Sequence, residues 1–353
     1  MDLTLCGTSA FRYYRIPPQI LGLYPALATQ SCDSNYVKFS QQPFIEDLLR
    51  TPMHRIAFER KQRASRKLFA SHLLLQEPPP GSFRQTEHGF DVTSPEMTLL
   101  TLARSAPRIK LLLMMFELCG SFAVYKPCDR AQALLDDAIQ RRLVSPTEGW
   151  RQGAPSAKGV PSNLWKRDPL LCPSDIESFI HQASGLRGVK ALRWAAARMT
   201  GVTASPFEVE ASMLLSLPRE EGGLGLHIEN NVRIPLSAAA KALYERDCCY
   251  ADILLESRTD SMGVIFECQG RSVHDNEAAG LSDSDRATAL TSMGYDVILV
   301  THDQIKHERS FTELAKLLCK KTGIPFEPKD EIERAAEARL RSELFTDWDH
   351  LAS

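Results

Sequence analysis

Asp252 and Glu267 stand in two short aliphatic runs, 250–256 and 263–274, separated by a polar turn. Each run is β-branched or aliphatic and bounded by Ser, Thr, Asp or Gly, the pattern of a strand. Side chains alternate along a strand, so Asp252, Leu254 and Glu256 share one side of the first run, and Ile265, Glu267 and Gln269 share one side of the second. Paired as a hairpin, the runs would bring Asp252 and Glu267 together on a mostly apolar ribbon. Two carboxylates in such a place are costly to desolvate unless something neutralises them, and a divalent cation is the usual counter-charge. The chemistry to expect is that of a hard metal ion.

Several elements must position that pair, and the chain has room for them. Its 353 residues suffice for two or three domains. With 43% hydrophobic and 24% charged residues the composition is globular, which excludes disordered and collagen-like classes. A net charge of −2 excludes a global basic field, so contact with nucleic acid would rest on local patches. No apolar run spans a bilayer, and Asp2, Arg12 and Arg15 argue against a signal peptide, so no membrane partner is expected. The nine cysteines are scattered and never spaced C-x-x-C. Reduced thiols in a cytoplasm fit that pattern better than a disulfide framework or a structural zinc.

Residues 1–130 read as a mixed α+β domain, with a short helix at 9–15 ended by Pro17-Pro18 and strands at 53–58 and 68–74. Ser94 is placed to cap a leucine helix that opens on Pro95. Arg60, Lys61, Arg63, Arg66 and Lys67, between the two strands, read as a basic hairpin that is either exposed or turned to DNA. Residues 131–202 read as a helical connector. Its last helix carries Arg187, Lys190, Arg193 and Arg198, a solvated face or one that contacts phosphates. Residues 203–325 read helix, strand, strand, helix, strand, helix, an α/β sandwich around a mixed sheet, and 326–353 as a charged helical tail.

Ser205-Pro206-Phe207-Glu208, Asp252, Glu267-Cys268-Gln269-Gly270 with His274, and Asp283-Ser284-Asp285-Arg286 follow one another, ahead of Leu290, Gly294 and a β-branched run at 295–300. In order and spacing these residues resemble the PD-(D/E)XK nuclease superfamily, most of all the branch that includes the very short patch repair endonuclease. The resemblance implies a restriction-endonuclease-like fold and DNA cleavage dependent on Mg²⁺ or Mn²⁺. It implies Asp252 and Glu267 as metal ligands, the Cys268 carbonyl as a third, and Glu208 across the groove. His274 would be a proton shuttle and Arg286 a phosphate clamp, with Lys190 and Arg193 as further DNA contacts.

Gln269 stands at the superfamily's lysine position and brings no charge, and His274 comes one residue later than the pattern. Losing one strong transition-state donor costs about 10²–10³ in rate. Either a slow endonuclease follows, or a DNA-binding regulator that keeps the fold as a scaffold. Residues 9–12 and 92–96 are similar to AbiE-type antitoxins, which implies a bacterial defence system and a toxin or other defence protein as partner. Structural readings stand beside these. Ser205 with Glu208 is a capping box, Asp252 could end an edge strand, Glu267 could pair with a buried arginine, His274 could cap a loop, and Asp283 could cap a helix. Oligomeric state is open.

Overall fold

The computed structural model describes residues 3–28, 36–60, 67–144, 150–155, 159–269 and 277–351, with main chain only for Tyr36 and 277–283. The fold is α/β with mixed sheets. The chain divides into two units, one made of 1–153, 161–199 and 347–353, the other of 154–160 and 200–346.

The first unit is built on a sheet of order β3-β2-β1-β5-β4, formed by β1 (Thr4–Leu5), β2 (Met53–Ala57), β3 (Phe69–Leu73), β4 (Phe83–Gln85) and β5 (Asp91–Thr93). Its helices are α1 (Gly7–Tyr13), α2 (Pro18–Leu21), α3 (Tyr36–Ser40), α4 (Pro95–Leu102), α5 (Arg108–Cys119), α6 (Asp129–Gln140), α7 (Pro173–Gln182) and α8 (Val189–Ala196). A second, small sheet joins β6 (Phe122–Val124), β7 (Arg151–Gln152) and β8 (Leu164–Lys166). The switch from β5 to α4 follows from local chemistry. Pro95 needs no amide partner at the first helical position, and Ser94 Oγ accepts from the Met97 amide.

Two expectations change here. β2 and β3 pair in parallel, so the basic segment between them is a crossover and cannot be a hairpin. Of its residues Arg60 and Lys67 are exposed, and Lys61, Arg63 and Arg66 lie outside the described residues. Nor is 131–202 a separate connector. Ala131, Leu135 and Trp165 are buried in the same core as Leu5, Phe44 and Phe69, and the Trp165 indole N–H donates to the Tyr125 carbonyl at 3.0 Å.

The apolar run of α5 is a core helix, buried from Leu111 to Cys119 with one acid, Glu117, inside it. Glu117 Oε1 accepts from Arg15 Nε at 2.7 Å and from the Val124 amide at 2.8 Å. Arg15 also donates to the Trp348 carbonyl at 2.6 Å. Beside α4, Gly188 has φ 103°, and a Cβ there would lie 2.8 Å from the Leu100 carbonyl oxygen. Gly188→Ala is expected to cost about 1–3 kcal/mol from that strain. A lowered urea midpoint with unchanged m would report it.

His54 Nδ1 and His72 Nε2 lie 3.0 Å apart on neighbouring strands. Burial lowers both imidazoles, His72 to about 4 with His54 and Arg104 adding to the effect. An unfolded imidazole titrates near 6.5, so between 6.5 and about 4 the unfolded chain binds more protons than the folded one. Stability of this unit is therefore full above pH 6.5 and falls as pH drops toward 4. Urea midpoints at pH 7 and pH 5 check the sign, and His72→Asn should narrow the difference.

The second unit contains α9 (Pro206–Ser216), β9 (Ile228–Pro235), α10 (Ala238–Tyr244), β10 (Cys248–Leu255), β11 (Gly263–Gln269), α11 (Glu277–Ser292), β12 (Tyr295–Thr301), α12 (His302–Lys306), α13 (Glu308–Thr322) and α14 (Glu331–Leu344). Its sheet has the order β12-β11-β10-β9. β9, β10 and β11 are antiparallel neighbours, and α11 carries the chain across to β12, which pairs parallel with β11. Gly294, at φ 91°, ends that crossover helix and Leu290 anchors it in the core.

The tail helix packs through one face, with Ala336, Leu340 and Leu344 buried. Arg219 holds Glu333 through two bonds of 2.7 and 2.6 Å, and Lys329 pairs with the buried Glu337 at 2.7 Å, so α14 belongs to this unit. Residues 347–353 belong to the first. Among the described residues no helix is long and apolar enough to cross a membrane, and all eight described cysteines are free thiols.

Candidate functional site

The carboxylates of the second unit gather where β10 and β11 part. The antiparallel register runs from Leu255↔Val264 to Ile253↔Phe266, and one further step sets Asp252 opposite Glu267. On the other side of β10 the ladder with β9 skips Asp252 and Asn231, and Asn231 takes the left-handed conformation at φ 53°, which asparagine tolerates better than most residues. The side chain of the preceding residue, Asn230, fastens the kink by donating to the Asp252 carbonyl at 3.1 Å and to Ser212 Oγ of α9 at 2.8 Å. With the ladder interrupted, the Cys268 amide donates to Asp252 Oδ2 at 2.8 Å, so the aspartate stands in for a strand carbonyl.

Glu267 is almost wholly buried, and Arg286 of α11 donates to its Oε2. Of the readings open for Glu267, pairing with an arginine is the one the geometry displays. Arg286 is thereby placed on the acid rather than presented as a clamp for phosphate. Glu208 is likewise engaged locally. Its Oε1 accepts from Ser205 Oγ at 2.8 Å, its Oε2 from the Ala204 amide at 2.7 Å, and its own amide donates back to Ser205 Oγ at 3.2 Å. Ser205 thus caps α9, while Glu208 reaches the Ala204 amide in place of the Ser205 amide that a full capping box would use.

All these acids nevertheless surround one residue. Burial pushes the half-buried Cys268 thiol well above its usual range, and the fields of Asp252, Glu208, Glu267 and Glu210 push it further. The thiol is therefore a poor nucleophile at neutral pH. Glu210 and His302 had not been expected here. Glu210 is buried in α9, and its Oε2 lies 3.0 Å from Nε2 of His302, which opens α12 at the end of β12 and packs edge-on to Phe207 and Phe345. No local pattern announces that contact, which joins residues 92 positions apart. Gln269 ends β11 half-buried, opposite Thr301 of β12. His274 and Gly270 lie outside the described residues, as does the side chain of Asp283.

Each acid of this set already has a partner within the protein. Asp252 is bonded to an amide, Glu267 to a guanidinium and Glu208 to a helix cap. Among the described residues no group of three or more His, Cys, Asp or Glu side chains is disposed to hold a metal.

Lys190 and Arg193 lie in the first unit, exposed on α8. Trp194 follows them on the helix, with the Arg198 guanidinium 4.2 Å and that of Arg108 5.3 Å from its ring centroid. Cations stacked on an indole beside two exposed basic residues make a face suited to a polyanion. No protein family, curated protein or solved structure matches the chain.

Proposed function

We propose that the chain is a nucleic-acid-binding protein whose second unit keeps a nuclease-like sheet as a scaffold and does not cut. In that reading it serves in the cytoplasm as a regulator or antitoxin of a bacterial defence system, paired with a toxin. The observation that carries it is the closed Glu267–Arg286 pair, in which the acid that a nuclease of this kind would lend to its metal is already neutralised inside the protein. Gln269, at the place of the superfamily's lysine, points the same way. Binding rests on the basic, tryptophan-centred face of α8.

A second reading, an endonuclease dependent on Mg²⁺ or Mn²⁺, is favoured by the convergence of Asp252, Glu267 and Glu208 on Cys268. It requires Arg286 to leave Glu267. Supercoiled plasmid with Mn²⁺, followed by a gel shift at low salt, separates the two. The scaffold reading expects wild type and Glu267→Gln to shift DNA equally and to nick none. Nicking by wild type that Glu267→Gln abolishes would replace it with the endonuclease.

A further inference from the structure

A cavity of about 540 Å³ opens in the first unit between β3, the C-terminal end of α4 and the turn before α8. Leu74, Met97 and Leu186 give it an apolar wall, while Arg104 and Arg187 bring two positive charges to its rim. Arg104 donates to the Leu73 carbonyl at 3.2 Å. Neither arginine meets a carboxylate among the described residues.

The backbone brings the two arginines to the same rim. The turn ending at Gly188 lies so close to α4 that a Cβ at Gly188 would be 3.2 Å from Arg104 Cγ as well as against the Leu100 carbonyl. The main chain of Arg187, the residue before it, is thus held near Arg104. Burial, and then the neighbouring Arg187, lower the pKa of the Arg104 guanidinium, as expected of a cation facing a like charge in a partly closed space. An anion would reverse the sign of that interaction, and the planar fork of arginine matches phosphate oxygens in particular. The volume falls within the range of roughly 300–1,000 Å³ usual for small-molecule sites.

We propose that this cavity binds a phosphate-bearing organic anion of nucleotide size, with Arg104 and Arg187 on the phosphate oxygens and Leu74, Met97 and Leu186 on the organic body. His72, bonded to His54, closes the cavity beside them. The site is separate from the nucleic-acid face, whose Lys190 and Arg193 do not line it.

Calorimetric titration of the full chain tests it, with ADP, inorganic pyrophosphate and adenosine as probes. ADP should bind saturably, more tightly than pyrophosphate and at least about 10-fold more tightly than uncharged adenosine, the worth of one charge-assisted contact. Arg187 is exposed and makes no hydrogen bond among the described residues, so Arg187→Gln should fold normally and weaken ADP by a similar factor. The double variant Lys190→Gln/Arg193→Gln should leave ADP binding unchanged. No saturable ADP binding, adenosine as tight as ADP, or an unaffected Arg187→Gln would each overturn the proposal. So would loss of ADP binding in the double variant, which would move the ligand to α8.

Discussion

Replacing Arg15 by methionine is expected to cost the first unit about 3–5 kcal/mol, the range for stripping one partner from a buried ion pair. Its guanidinium and the Glu117 carboxylate are 4% and 0% exposed, so water cannot replace the lost charge. What remains in Arg15→Met is a buried acid in the last turn of α5, held by the Val124 amide and the field of Arg167, without its ion-pair partner. The double variant Arg15→Met/Glu117→Leu should recover a large part of the loss, because two apolar side chains of similar volume carry no desolvation penalty. All four tryptophans, Trp150, Trp165, Trp194 and Trp348, belong to this unit. Their fluorescence during urea unfolding therefore reports it selectively. A single-variant loss below about 1 kcal/mol, the level of an exposed pair, would show that the charge pair contributes little.

Arg286→Met is expected to cost the second unit about 3 kcal/mol, at the lower end of the same range because Arg286 is 25% exposed. The loss should appear as faster amide exchange in β11 and α11, since Glu267 is left charged beneath the helix. Adding Glu267→Gln should restore part of it. The variant also discriminates between the two functional readings. An acid freed of its arginine beside Asp252 becomes a candidate ligand, and an ion that binds only the folded state stabilises it by mass action. If millimolar Mn²⁺ returns most of the lost stability to Arg286→Met but not to the double variant, the metal reading gains. If it returns none, the carboxylates are structural.

The strands that matter most were legible because their chemistry is local. The β-branched runs of β10, β11 and β12 and the Ser94 and Ser205 caps lie where alternation and capping residues place them. β9 escaped because Asn230 places a polar residue on its otherwise apolar face, yet Asn230 is what fixes the kink at Asp252. The parallel pairing of β2 with β3 and the return of 347–353 to the first unit are long-range matters, which no window of sequence encodes. The site was legible as a set of residues and less so as an arrangement. Asp252 and Glu267 do border Cys268, but the partner Glu267 takes depends on Arg286, on the helix that follows. Glu210 and His302 meet only once α9 is laid against the end of β12.

The bond from Arg15 to the Trp348 carbonyl, across 333 positions, has a consequence for biosynthesis. A ribosome delivers the chain from its amino end, and domains tend to fold as they emerge. The first unit can collapse early around α5, but one donor of its central arginine must wait until every residue of the second unit has been translated. The nascent first unit is thus one contact short until the chain reaches Trp348.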